Sequence, residues 1–392
     1  MQDFDQRQLQ NVAALMDRFV ATDRMAGCEM YVARRGRVGF RYAAGMMDRE
    51  AGRPIAPDTI YRVYSMSKPI AMTALMQLYE RGLVNLRDPL SDYIPEFKDM
   101  PVAQTQPDGS VELVKQEQPI LIRNLCTMTS GLAYPGDANE GAKSMLRLME
   151  ETEAQDPGTV EIARLVARGA ALSFQPGTHW MYGFSHDIVG ALVELISGQR
   201  YGDYLREHIF EPIGMPDTDF WVPESKRSRF CAIYDRKDGK LVRDDAPNFT
   251  TDYYARPAFE SAGGGLTSTV ADYARFCQML LDGGVSGTER LLGRKTIELM
   301  ATDHLTEQQR PDFNWPQQCG YGYGLGMRTM IRPALGEYNG SVGEFGWDGM
   351  AGTWMCVDPK EGMIIVFMQQ TVPGDHTWFV PRLIPTVYAA LV

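Results

Sequence analysis

The 392-residue chain has no long apolar run. Nothing in it approaches the roughly 18 consecutive apolar residues that a membrane-spanning helix needs, so no membrane partner is expected. Cations are the scarcer charge: Lys+Arg is 39 against Asp+Glu 50, a formal net charge of −11. So acidic a surface repels polyphosphate, and a nucleic-acid partner is not expected. The charge serves solubility and says nothing of the fold. Cysteine is sparse and scattered. Cys28, Cys126, Cys231, Cys277, Cys319 and Cys356 form no C-x-x-C and no zinc-ribbon spacing. Each lies in or beside an apolar segment, so all are expected as reduced core thiols. Histidine is scarcer still. His179, His186, His208, His304 and His376 make no H-x-H and no H-E-x-x-H, so no metal site is expected, and no cofactor. No G-x-S-x-G occurs, and no G-K-[ST] follows Gly263-Gly264-Gly265, which excludes a phosphate loop. Ser185-His186-Asp187 prints like a triad, but consecutive side chains point apart and cannot relay a proton. The opening MQDFDQRQLQ carries early acids and no apolar core behind basic residues, so no secretory leader and a cytoplasmic location are expected.

What is present is ordinary globular protein: 44% apolar and 23% charged residues. The length suits two domains, or one α/β domain with a large insertion. It can bury a sizeable core without disulfides or metals. Leu9, Val12, Leu15, Met16 and Phe19 recur at helical spacing over residues 5–20. Cys28 to Gly45 reads as a β-hairpin around Arg35-Gly36. Residues 61–65 look strand-like and lead into a long helix ending near Gly82. A hairpin is expected around Pro107-Asp108-Gly109. The rest of the middle reads as helix and loop: 122–127, 141–151, 159–170, 185–197 and 201–210. Ser185 is the expected N-cap of its helix. After the glycine run at 263–265, TVADYARFCQMLLDGG reads as a helix. Residues 352–358 and 362–370 read as adjacent antiparallel strands, followed by a last helix through Phe379, Leu383, Val387 and Leu391.

Joining the two ends gives an α/β (α+β) fold. An antiparallel sheet flanked by helices would form from residues 1–85 and 240–392, with a mostly helical inserted domain at 86–239. The active site is expected in the cleft between them.

Three features could carry chemistry. In Ser65-Met66-Ser67-Lys68, positions three apart share a helix face. A serine hydroxyl needs a base beside it, and a desolvated lysine can be that base. A helix start also offers free N–H groups to a developing oxyanion. Alone, S-x-x-K is a weak signal; here it follows a strand and opens a strongly apolar helix. Tyr182, on a loop ahead of the helix at Ser185, could relay a proton near a cation. By itself it reads as a packing aromatic. Gly346-Trp347-Asp348-Gly349 precedes a strand, where glycine permits close approach of a ligand. By itself it reads as a turn.

Taken together and in order, these motifs resemble the serine β-lactamase and penicillin-recognising superfamily. Within it they resemble the class C-like branch called family VIII carboxylesterases. The likeness spans nearly the whole chain. It also includes Thr127-Met128-Thr129-Ser130-Gly131-Leu132, Gln175-Pro176-Gly177, Pro212-Ile213-Gly214-Met215 and Ser261-Ala262-Gly263-Gly264-Gly265-Leu266. The resemblance implies Ser65 as nucleophile and Lys68 as the group that accepts or shuttles its proton. It implies Tyr182 as partner in activation and leaving-group protonation, and the N–H groups of Ser65 and Met350 as oxyanion hole. Tyr134, Phe184, Trp347 and Gly349 are the implied substrate-binding positions.

The departures are informative. Where β-lactamases carry K-T-G, this chain has Trp347-Asp348-Gly349, an apolar neutral donor in place of a cation. Asp348, if it faced the site, would repel a carboxylate. Phe184 stands where β-lactamases have asparagine, and Met128 where a histidine is common. The expected activity is hydrolysis of small-molecule carboxylic esters of short acyl chain through an acyl-enzyme on Ser65. The alternatives are a β-lactamase or D,D-peptidase, an acyltransferase of the same fold, and a non-catalytic binding protein. The natural ester depends on pocket size, which the loops at 99–160 and 220–260 would set, and the sequence leaves the oligomeric state open.

Overall fold

An edge strand needs a partner, and the partner of the first long strand lies near the far end of the chain. The computed structural model describes residues 3–152, 155–245 and 253–392. Of the loops expected to shape the pocket, positions 153–154 and 246–252 lie outside the described residues, as do residues 1 and 2 of the opening segment. Strand Gly27–Arg34 pairs with Arg37–Asp48 across the Arg35-Gly36 turn. Its other edge pairs antiparallel with Met363–Gln369, Val32 facing Ile365 and Arg34 facing Met363. The full eight-stranded order is Tyr321–Tyr323, Arg328–Met330, Phe345–Asp348, Trp354–Asp358, Met363–Gln369, Gly27–Arg34, Arg37–Asp48 and Arg53–Pro54. The expectation that both chain ends build one antiparallel sheet is met.

Helices cover both faces of that sheet, so its inner strands read as unbroken apolar runs. Along Met363–Gln369, Ile364, Val366 and Met368 enter one core, shared with helices Ser67–Glu80 and Val270–Leu281. Met363, Ile365 and Phe367 enter another, shared with Gln6–Ala21 and His376–Tyr388. Gln6–Ala21 buries Leu9, Val12, Met16 and Phe19 on one face, and the Asp5 carboxylate caps it by accepting the Arg7 and Gln8 N–H groups. Thr269 caps Val270–Leu281 by accepting the Asp272 N–H.

Ser67–Glu80 differs: Ser67 through Met76 are all buried. It packs against Ser185–Ser197, and only its last turn, at Gln77, Tyr79 and Glu80, reaches solvent. Leu75, with no exposed surface, is a direct probe of this packing. Leu75→Ala is expected to destabilise the fold by about 2–5 kcal/mol, read as a lower urea midpoint.

Several local expectations need correction. Only Ile60–Arg62 is strand, paired with Thr267–Thr269; Tyr64–Met66 is a tight 3-10 turn. Ser185 does not cap its helix. Its hydroxyl pairs with that of Ser130 at 2.8 Å, a tertiary partner that outcompetes the local amides. The helix expected over 201–210 starts as Tyr201–Leu205 and widens into a π-turn at Arg206–Phe210. The last helix stops at Tyr388, because Leu391 bridges to Phe4. All six cysteines are free and five are buried, but Cys319 is exposed. Among the described residues no helix is long and apolar enough to cross a membrane.

Candidate active site

The chain reaches Ser65 from strand Ile60–Arg62 and leaves it in helix Ser67–Glu80. The junction is sharp. Tyr64 has φ of +44°, a left-handed conformation that a bulky side chain adopts only at a cost. The turn is clamped from several elements. Val63 N–H donates to Leu266 O at 3.0 Å, and Leu266 N–H donates to Ser67 Oγ at 3.1 Å. Thr353 Oγ1 donates to Val63 O at 3.2 Å, and Tyr273 OH donates to Met66 O at 2.6 Å. The Tyr64 ring is buried with Ile233 and Ala351. Ser65 is left partly exposed at the tip.

One turn on, the Lys68 side chain has no exposed surface. Its Nζ donates to Ser65 Oγ at 3.1 Å, to Tyr134 OH at 2.9 Å and to Gly263 O at 2.5 Å. It also lies 4.6 Å from the centre of the Tyr182 ring. Burial removes the water that stabilises an ammonium and pulls this group from its ordinary 10.5 down to about 7; the carboxylates of Asp187 and Asp348 act the other way.

The Tyr182 hydroxyl accepts the indole N–H of Trp347 at 3.1 Å. Burial drives this phenol above its ordinary range, against the Ser65 hydroxyl and the Trp347 indole, which lower it. Burial pushes Tyr134 up as well, with Tyr182 adding to the effect. Near neutral pH, then, both phenols hold their protons while the amine between them can lose one.

Aromatic rings frame the cluster. Tyr134 meets Tyr182 edge-on at 5.7 Å, and the partly exposed Trp315 meets Tyr182 at 5.1 Å. Phe184 meets Tyr134 at 6.4 Å, and Phe259 stacks on Phe184 at 6.0 Å.

Gly349 and Met350 belong to a turn laid directly on the serine turn. Gly349 N–H donates to Thr353 O and Gly352 N–H to Gly349 O, both at 2.8 Å. A Cβ on Gly349 would stand 2.3 Å from Val63 O and 2.2 Å from Thr353 Oγ1, so only glycine fits. Among the described residues no backbone acceptor takes the N–H of Met350.

The structure thus brings Ser65, Lys68 and Tyr182 together and adds Tyr134 as a direct partner of the amine. Trp347 and Phe184, expected against substrate, are 0% and 5% exposed and stand one layer behind the tyrosines. Asp348 is turned inward and accepts Gln318 Nε2 at 3.1 Å. Sequence reading missed Gln318, Trp315, Asp187 and the Gly263 carbonyl. Asp187 left one signal, an acid in the first turn of an apolar helix, where a buried charge demands partners. No group of three or more metal-ligating side chains is assembled among the described residues.

An antiparallel sheet covered by helices, with a serine–lysine pair at the head of the innermost helix, defines the β-lactamase-like fold of serine hydrolases and acyltransferases. The chain belongs to the Beta-lactamase family, whose profile matches residues 12–380. Esterase EstB of Burkholderia gladioli is 29% identical over 378 residues, covering 91% of this chain and 89% of that protein. Monacolin J acid methylbutanoyltransferase of Aspergillus terreus is 28% identical over 348 residues, covering 82% and 79%. A solved structure described as "EstCE1, a hydrolase with promiscuous acyltransferase activity" superposes with a TM-score of 0.79 at 23% identity, covering 97% of this chain and 98% of that one.

Proposed function

We propose that this protein is a serine carboxylesterase of the family VIII type that cleaves short-chain esters through an acyl-enzyme on Ser65. One observation carries the reading: a buried amine, lowered by burial to about 7, donates a 3.1 Å hydrogen bond to a partly exposed serine hydroxyl. Neutral Lys68 would take the Ser65 proton as Oγ attacks the ester carbonyl. The N–H groups of Ser65 and Met350 would hold the oxyanion. Tyr182 would deliver a proton to the leaving alkoxide, and the Lys68 ammonium would resupply it. Water would then resolve the acyl-enzyme. The serine and lysine come from the sheet-forming part of the chain, Tyr134 and Tyr182 from the helical insertion, and the substrate would enter between them.

Substrate class follows from the walls. Tyr134, Tyr182, Trp315 and Met350 present apolar, partly exposed surface. Trp347 stands where a β-lactamase would present a cation, so nothing at that position rewards a substrate carboxylate. A panel of p-nitrophenyl esters of increasing chain length, run beside nitrocefin, tests the reading. Expected are faster turnover of the short esters, a burst of nitrophenol and a covalent mass increase on the Ser65 peptide. Nitrocefin turnover far above ester turnover would replace the reading with a β-lactamase.

Acyl transfer is the second reading, favoured by the transferase among the relatives. Acyl transfer to an added alcohol outrunning hydrolysis would establish it. Either way the oxyanion turn is testable. Gly349→Ala forces the turn off Val63, and kcat is expected to fall about 100-fold with the circular dichroism spectrum unchanged.

A further inference from the structure

Asp187 sits in the first turn of helix Ser185–Ser197 and is 1% exposed. Such a group is costly to bury unless it is fully engaged. Its Oδ1 accepts Ser261 Oγ–H at 2.6 Å and Gly263 N–H at 3.0 Å. On its other side Gly263 offers its carbonyl to Lys68 Nζ at 2.5 Å. A Cβ on Gly263 would stand 2.3 Å from Asp187 Oδ2, so the glycine lets the carboxylate sit against the backbone. The segment is pressed onto the same helix again at Gly190, where an added Cβ would meet the Ala262 Cβ at 2.8 Å.

We propose that Asp187 is a positioning residue for the Lys68 amine, acting through Gly263, whose N–H it fixes and whose carbonyl anchors the amine. This rests on the roles given above to Ser65 and Lys68. The carboxylate forms no direct ion pair with Lys68 among the described residues. It holds the carbonyl in place and places a negative charge near the amine. Burial pushes this carboxyl up from its ordinary range, and the Ser261 hydroxyl, the Lys68 charge and the Gly263 N–H pull the other way, towards the ionised form.

The groups facing Lys68 come from several elements. They are Ser65 on its own turn, Asp187 and His186 on the Ser185–Ser197 helix, Asp348 at the sheet, and the hydroxyl of Tyr134 and ring of Tyr182. Burial holds His186 well below its ordinary value, so it carries no charge near neutral pH. The carboxylates of Asp187 and Asp348 both favour the ammonium. Removing Asp187 therefore favours the neutral amine, as a weaker base held in a looser place.

The test is Asp187→Asn. Its readouts are the pH dependence of Ser65 labelling by an activated fluorophosphonate, kcat and KM for p-nitrophenyl acetate, and Tm. The labelling midpoint is expected to move down by about one pH unit. kcat should fall about tenfold with KM within twofold. An unchanged midpoint overturns the proposal, whether kcat holds or falls, because a merely structural carboxylate would leave the amine's titration alone. Should Asp187→Asn not fold, Gly263→Ala keeps the charge but pushes it off the backbone. A tenfold loss of kcat supports positioning, and kcat within twofold of wild type overturns it. Failure of wild-type Ser65 to label at all would refute the hydrolase reading itself. Labelling and ester turnover in the wild type with no effect of Asp187→Asn would refute the positioning role alone.

Discussion

Ser65→Ala is expected to lower kcat for a short p-nitrophenyl ester by about 10,000-fold or more, with the fold intact. The size of the loss follows from covalent catalysis: without Oγ no acyl-enzyme forms, and only substrate binding and the two N–H donors remain. Folding should survive because none of the turn's clamps uses the Ser65 side chain. They fall on Val63, Met66 and Ser67. Steady-state kinetics and intact-protein mass after a short pulse of substrate check both halves. The variant should carry no added acyl group, where the wild type carries one. Retention of most of the esterase activity would remove Ser65 from the mechanism.

Lys68→Met is the second large effect. It keeps an unbranched apolar chain of similar length in a site with no exposed surface, but removes the base. General-base loss is worth about 100- to 10,000-fold, and a fall of about 1,000-fold in kcat/KM is expected. The pH profile carries the sign. If the neutral amine is the working form, wild-type kcat/KM rises as pH increases through about 7, the position to which burial lowers this lysine. In Lys68→Met that rise should vanish. A wild-type profile flat from pH 6 to 9 would exclude an amine base. Stability moves with the same titration. The folded-state pKa lies below the unfolded value of 10.5, so the unfolded chain binds the extra proton between about 7 and 10.5. This group therefore costs stability as pH falls across that window and adds no further cost below it. Urea midpoints of Lys68→Met should gain on wild type between pH 10 and pH 7.

Periodicity made much of this fold legible. The helix carrying Leu9, Val12, Met16 and Phe19, the hairpin at Arg35-Gly36 and the strand pair at 352–358 and 362–370 could be read locally, because each is set by alternation or by a turn. Ser65, Lys68 and Tyr182 were legible only as an ordered set of motifs. What escaped depends on contacts between distant segments. The hydroxyl of Ser185 is claimed by Ser130, 55 positions earlier. The left-handed Tyr64 is imposed by clamps from Leu266, Tyr273 and Thr353, so the serine rides on a tight turn rather than in the helix proper. The resemblance sets Trp347 where β-lactamases carry a cation, but its burial behind Tyr182 was not legible, since that depends on how strand Phe345–Asp348 meets the Tyr182 loop.

The strand Gly27–Arg34 waits for Met363–Gln369, a partner made more than three hundred residues later. On the ribosome its outer edge stays open until the final stretch of the chain has emerged, and it is a ready template for any other extended segment. Pairing across so wide a loop is the kind of contact that forms late, and a transcript truncated before residue 363 would release a protein holding Ser65 but lacking the strand that completes the sheet.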